Sequence, residues 1–266
     1  MKRYLAALVG IAALALVVTG CNKLKARDNL NRGVQAYKST QYTAAVERFE
    51  TAVQLDPTFT PARLYLAMAY YMQYIPGAES PENQQMADRA LDQFQKVLQQ
   101  DPKNDIATKS IASLYYNEKK WGQAEEWYKK GLQLNPTDKE SYYTLGVIAW
   151  SKWYPIYGTA RAKLSMKPED PGPIKDKKVK EELKAQYLPL VDAGIQDLQK
   201  ALDIDKEYDD AMAYMNLLIR ERADLDDTPE QYQKDIEVAN NWVQKTLETK
   251  KIKAERKPVS TGLSAQ

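Results

Sequence analysis

The chain has 266 residues, 38 of them basic and 36 acidic, with no histidine and a single cysteine. Without histidine there is no ordinary general base or pH switch near neutrality, no Ser-His-Asp or Cys-His arrangement, and no Cys and His set for a zinc site. The near-balanced charge argues against a general nucleic-acid binder, no two glycines lie closer than nine residues, so no glycine-rich loop cradles a phosphate, and no metal or cofactor is expected.

Lys2 and Arg3 precede an apolar run from Leu5 to Val18. At 14 residues the run is short for a membrane span and suits the core of a signal peptide. It ends Val18-Thr19-Gly20-Cys21. An aliphatic residue, a small residue and Gly before Cys resembles the lipobox of bacterial lipoproteins. The resemblance implies cleavage before Cys21, diacylglycerol on its sulfur and an acylated new N-terminus. Two or three acyl chains, at about 0.8 kcal/mol per buried methylene, hold a protein on a bilayer almost permanently. In the enterobacterial proteins this segment resembles, Asn rather than Asp after the Cys favours the outer membrane, so Asn22 implies an outer-membrane anchor facing the periplasm. Residues 1–20 are thus expected to be a signal peptide and 21–25 a short tether. The first helical hairpin should therefore ride close to the lipid. Losing Lys2 and Arg3 from the 38 basic residues leaves 36, equal to the acidic count.

From Ala26 onward the chain repeats itself. Asp56-Pro57, Asp101-Pro102 and Asn135-Pro136 punctuate it, and Pro102 and Pro136 stand 34 residues apart. Pro57 precedes Pro102 by 45 residues, which is one such period and 11 more. Proline cannot continue a helix and biases the preceding residue out of helical geometry, so each dipeptide predicts a helix end. Counting back gives repeats from Ala26, Thr60, Asp105 and Lys139, with a degenerate fifth from Asp209. Repeat position 8 is then Gly33, Ala67, Ala112 and Gly146, position 20 is Ala45, Ala90, Ala124 and Gly194, and position 27 is Ala52, Val97, Gly131 and Ala201. Small residues at these places allow two antiparallel helices to approach to about 8–10 Å. Position 24 carries the bulky Phe49, Phe94, Tyr128 and Leu198.

This pattern resembles the tetratricopeptide repeat family, whose period and small and aromatic positions it follows. The resemblance implies an all-α solenoid of about four to five helical hairpins over residues 26–250. Two insertions interrupt it, at about 73–83 and 152–187. Residues 251–266 have few apolar side chains and read as a disordered tail.

In that family the first helix of each hairpin lines a concave groove. Position 12 is Tyr37, Tyr71, Tyr116 and Trp150, and position 5 includes Lys109 and Tyr143. These six residues are the candidate partner-binding groove, because Tyr and Trp give large contact area at low entropy cost. Tyr and Trp at such positions also serve plain packing between hairpins, and that reading stays open here. Leu30 and Val34 stand where the family's carboxylate-binding clamp has Lys and Asn, which points to an apolar, non-clamp peptide. The aromatic cluster Trp153, Tyr154 and Tyr157 opens the second insertion. It is expected to pack on the solenoid or meet a partner, since bare aromatics invite aggregation. The acid pairs Glu125-Glu126, Glu181-Glu182 and Asp209-Asp210 read as solvated helix faces rather than catalytic carboxylates.

The expected function is that of a non-catalytic, lipid-anchored scaffold for other cell-envelope proteins or peptides. A regulatory subunit of an envelope enzyme, such as a peptidoglycan synthase or hydrolase, is the alternative. A carboxylate site in the second insertion is the competing catalytic reading.

Overall fold

The computed structural model describes residues 2–167 and 169–256, with side chains from residue 20 onward. The chain runs through α1 (Lys2–Lys38), α2 (Tyr42–Leu55), α3 (Thr60–Tyr71), α4 (Pro81–Gln100), α5 (Asp105–Asn117), α6 (Trp121–Leu134), α7 (Lys139–Lys163), α8 (Lys177–Ile204), α9 (Asp209–Ala223) and α10 (Pro229–Arg256). No strand occurs among the described residues. None of the helices among them is long and apolar enough to cross a membrane. The expected all-α class holds, and α3, α5, α7 and α9 begin on the residues the repeat register names.

The punctuating dipeptides act through their first residue as much as through proline. Asp56 Oδ1 accepts the backbone N–H of Thr58 at 3.1 Å, and Asn135 Oδ1 accepts that of Thr137 at 3.2 Å. Asp205 Oδ1 does the same for Glu207 at 2.9 Å, although Lys206 stands where the others have proline. A side-chain oxygen that closes a turn on its own backbone two residues later is enough to set the bend. Elsewhere helix starts are capped: Ser80 accepts from the N–H of Asn83, Asn104 from that of Ala107 and Asp176 from that of Val179. Each cap satisfies one of the first-turn donors that have no partner inside the helix.

Two compact units divide the chain, residues 1–127 and 128–266, with the boundary inside α6. In the first, α1 packs on α2, α3 on α4, and α5 on α4. Its core gathers Phe49, Leu66, Phe94, Val97, Ile111 and Leu114 with the alanines of positions 8, 20 and 27. Gly33 explains the spacing, since a Cβ there would stand 2.4 Å from the Phe49 ring. In the second unit α7 pairs with α8 and α9 with α10, while α9 also packs on α7 and α8. Its core includes Trp153, Leu198, Met215 and Leu218. A Cβ on Gly146 would meet Leu198 Cγ at 2.5 Å, and one on Gly194 would meet the Ala149 methyl at 2.6 Å. Both hairpins are therefore closed to the contact limit at the positions the register predicts to be small.

Three expectations need correction. Residues 21–25 are not an extended tether, because α1 runs unbroken through them. Lys23, Leu24, Lys25, Ala26 and Arg27 are all good helix formers with no break among them. The second insertion, expected to be helical only in its last part, from Lys175 to Gln186, is helix over most of its length. Its residues lengthen α7 to Lys163 and start α8 at Lys177, leaving 164–176 as the connection. Third, Lys251–Arg256 continue α10 rather than begin a tail. Arg256 pairs with Glu207 at 2.6 Å and Lys253 pairs with Asp209, which ties this turn to the end of the α8–α9 connection. The remainder of the expected tail, 257–266, lies outside the described residues. The first insertion is a loop held by one side chain: Asn83 Oδ1 accepts the N–H of Ile75, and its amide donates to the carbonyls of Ile75 and Ala78.

Gly146→Ala should lower stability by about 1–3 kcal/mol, the usual cost of forcing an extra methyl into a packed core. Gly122→Ala, where a Cβ meets nothing within 4 Å, should leave the melting temperature unchanged or raise it slightly. Equal losses from the two substitutions in thermal unfolding would contradict the close approach of α7 and α8.

Candidate functional site

In the first unit the four expected groove residues are half-buried and engaged with their neighbours. Tyr37 meets Tyr42 and Tyr65 edge-on, with ring centres 5.3 and 6.2 Å away. Tyr71 hydroxyl lies 2.7 Å from Ser113 Oγ and accepts the Asn117 amide at 3.3 Å, a bond between the first helices of successive hairpins. Tyr116 packs edge-on against Trp121 at 5.5 Å. Lys109 lies 3.7 Å from Asp105 one turn earlier. These rings serve packing and remain partly open, Tyr37 within a run formed with Tyr42, Tyr65 and Phe49 rather than with the other expected groove residues.

The second unit assembles a continuous array. Tyr208 packs on Tyr143 at 5.0 Å, Tyr143 on Tyr214 at 5.7 Å, Tyr214 on Trp150 at 5.5 Å, and Trp150 stacks on Tyr154 at 4.8 Å with the planes 23° apart. Four of the five rings come from α7 and α9, the first helices of their hairpins, and Tyr208 caps the start of α9. Tyr143, Trp150 and Tyr154 fall at spacings of seven and four along α7, which places them on one helix face. Tyr154 is 46 % exposed, and Tyr143, Trp150 and Tyr214 are half-buried. Two of the expected groove residues, Tyr143 and Trp150, are thus brought together, and Tyr208 and Tyr214 are members the repeat positions did not single out.

The insertion cluster divides. Tyr154 joins the ladder, but Trp153 is wholly buried in the core against Tyr157 and Tyr187 and offers nothing to a partner. Tyr157 donates its hydroxyl to Asp224 Oδ2 at 2.9 Å. Trp153 thus packs on the solenoid, one of the two outcomes expected of the cluster: consecutive helical residues point about 100° apart, so the face carrying Tyr154 outward turns Trp153 inward.

Behind the ladder sits an acid that sequence reasoning missed. Glu221, near the end of α9, is only 5 % exposed and accepts the Trp150 indole N–H on Oε1 at 2.9 Å. Its second oxygen and the Trp153 indole nitrogen are both buried with no partner at bonding geometry. Burial pushes the Glu221 carboxyl up to about 7, and the nearby indole N–H groups of Trp150 and Trp153 offset only part of that rise. Glu221 is the thirteenth residue of the repeat that begins at Asp209, a position the pattern of small and aromatic residues leaves unmarked, so only the packed neighbours reveal the burial.

The 164–176 connection is clamped beside it. Asp224 pairs with Arg161, whose second nitrogen donates to the carbonyls of Lys167 and Asp170. Asp224 carbonyl accepts the N–H of Ile174 at 2.9 Å, and Tyr232 hydroxyl accepts that of Gly172 at 2.9 Å. Burial raises the Asp224 carboxyl even so, with Tyr157 and Arg161 pulling the other way. Nearby, a cavity of about 380 Å³ is lined by Lys184, Asp192, Arg222, Asp226, Asp227 and Asp235 among others. Arg222 holds Asp192 and Asp235, and Lys184 holds Asp227. Asp226 keeps one buried oxygen without a partner, and burial pushes its carboxyl up to about 6.

The sign of the Glu221 effect on stability follows from its raised value. The folded state binds this proton more tightly than the unfolded chain, whose carboxyl titrates near 4.5. Its contribution is therefore fully present below about 4.5 and is lost as pH rises through about 7. Spanning about 2.5 units, the loss amounts to at most about 3 kcal/mol. Glu221→Gln should flatten this decline in melting temperature between pH 5 and 8; a Gln variant with the same pH slope as the parent would remove Glu221 as its source.

The tetratricopeptide repeat family profile matches residues 84–146. Rat mitochondrial import receptor subunit TOM70 is 21 % identical over 197 residues, 74 % of this chain, and the chain spans 26 % of that receptor's length. Among solved structures, MamA protein superposes with a TM-score of 0.59 at 13 % identity, covering 88 % of this chain and 96 % of its own. YrrB, described as a TPR protein with an unusual peptide-binding site, superposes with a TM-score of 0.51 at 13 % identity over 84 % of this chain and 90 % of its own. With helix starts in the repeat register, small residues at the hairpin contacts and these likenesses, the chain has the tetratricopeptide-repeat fold, with the repeat itself matched over residues 84–146.

Proposed function

We propose that the chain is a non-catalytic scaffold that binds a protein or peptide partner on the inner helices of its repeats and is held at a membrane by lipid on Cys21. The observation that carries the binding reading is the ladder from Tyr208 to Tyr154, five rings in successive contact, of which Tyr208 is buried, Tyr143, Trp150 and Tyr214 are half-buried and Tyr154 is exposed. Rigid aromatics lose little entropy on binding and supply much of the energy at protein interfaces. YrrB, which shares the fold, has a peptide-binding site by its description. Four acids around the second insertion, Asp192, Asp224, Asp227 and Asp235, are held in ion pairs, while Asp226 and Glu221 each keep one unpartnered buried oxygen; the binding reading therefore rests on the ladder.

The anchoring reading rests on Val18-Thr19-Gly20-Cys21, with Cys21 exposed. On this reading the chain faces the periplasm from the outer membrane, and its partners are envelope proteins. Helix from residue 21 onward tightens the link to lipid. Residues 22–25 span about 6 Å at 1.5 Å each, less than half their extended reach.

Two measurements test these parts separately. Expressed in a Gram-negative host, the chain should fractionate with membranes, and its mature N-terminal peptide should carry acyl mass on Cys21. Cys21→Ser should release it; a parent chain that is soluble and unmodified would end the anchoring reading. A photoreactive residue at position 154 should crosslink one discrete envelope protein, and Trp150→Ala should reduce that yield at least severalfold. Equal yield from a photoreactive residue at 122, remote from the ladder in sequence and set on a different helix, would show the ladder is not the contact.

A further inference from the structure

Resting on the binding reading above, we infer that the ladder of the second unit takes a lysine or arginine side chain presented by an extended segment of a partner protein, seated against Trp150 and Tyr154 with the Glu221 carboxylate behind the indole.

Three features of the site point to a cation. First, the Trp150 N–H donates to a carboxylate oxygen at 2.9 Å. A negative group at that edge raises electron density on the indole face, and an aromatic face attracts ammonium and guanidinium groups. Second, two acids, Glu140 and Asp210, act on rings of the ladder. Burial chiefly raises the hydroxyls of Tyr208 and Tyr214; Glu140, which accepts the Tyr208 hydroxyl at 2.5 Å, adds to the first, and Asp210 adds a smaller push to both. Arg220 lies on the same helix, but it is turned to Asn216 and to Asn240 at 2.6 Å on α10. Third, the ladder already holds a cation of its own at its far end. Lys139 Nζ sits 5.0 Å above the Tyr208 ring while pairing with Asp205 at 2.6 Å. At Trp150 the carboxylate of Glu221 instead accepts the indole N–H, and no cation among the described residues lies over that ring.

The buried acid also makes sense in these terms. Glu221 keeps one oxygen without a partner among apolar neighbours, an arrangement unfavourable to its charged form. A cation across the indole favours that charged form, so binding and deprotonation of Glu221 are linked. The groups that act on Glu221 are few. Asp224 disfavours its charge from the same segment, and Trp150 and Trp153 favour it from α7. Tyr157 and Arg161, also on α7, are engaged with Asp224.

The test is selection from a random heptapeptide display library on the immobilised full-length chain, run in parallel on Glu221→Gln and Trp150→Ala, with melting curves confirming that each variant folds. Enrichment of Lys or Arg among peptides selected by the parent, lost on Glu221→Gln, is the expected result. The best such peptide should bind about tenfold more weakly when its basic residue is replaced by Gln. Its affinity should fall as pH drops from 8 to 5.5 and stay level in Glu221→Gln. Peptides that are enriched in apolar or acidic residues and still need Trp150 would overturn the cation while leaving the groove intact. Peptides whose capture ignores Trp150→Ala, or no selected peptides at all, would overturn the groove and the cation together. Should Glu221→Gln fail to fold, the pH dependence of the parent's affinity decides the matter: a level profile would overturn the inference.

Discussion

Close contact between the two helices of a hairpin is the constraint from which the rest of each unit follows. At Gly33, Gly146 and Gly194 one hydrogen stands where a methyl would enter a neighbouring ring, side chain or methyl. That closeness buries Phe49 against α1 and Leu198 against α7. It also fixes how each first helix is turned, because a helix clamped along one stripe presents the opposite stripe outward. On α7, Gly146 lies three residues after Tyr143 and four before Trp150, so its contact with α8 runs alongside the face that carries Tyr143, Trp150 and Tyr154 and fixes the angle of that face.

With α7 so oriented, one turn of helix contains both a core anchor and a surface group. Trp153 fills the interior and Tyr154 meets solvent. The extra length of α7 and α8 matters here, since the insertion adds packed helix and a clamped connection rather than a loose loop. Arg161 and Asp224 secure that connection, and the same packing shuts Glu221 away from water. A carboxylate buried among two indoles is costly to charge, and Glu221 lies directly behind the half-buried Trp150.

Much of the architecture was legible beforehand because it depends on local chemistry. A short polar side chain before proline ends a helix and turns the chain, and four helices begin on the residues that this punctuation indicates. The turn at Asp205 works without proline, which shows that the side-chain oxygen was the more general signal. Less was legible about the site. The register placed Tyr143 and Trp150 on an inner face but could not see that Tyr208 and Tyr214 would close the row with them. Nor could it tell Trp153 from Tyr154, because an aromatic cluster does not reveal which way its helix is rolled. Glu221 carries no sequence mark at all to separate it from the solvated glutamates of other helices.

The sequence by itself determined the all-α class, the period, the places where helices must touch and the residues at which four of them start. These follow from backbone geometry and from the size of single side chains. Only the tertiary structure decided which aromatics stay open, which acid is buried and how far the inserted residues prolong α7 and α8. Those outcomes depend on contacts between α7, α8 and α9, residues up to about seventy apart in the chain, and no local pattern encodes the angle at which such partners meet.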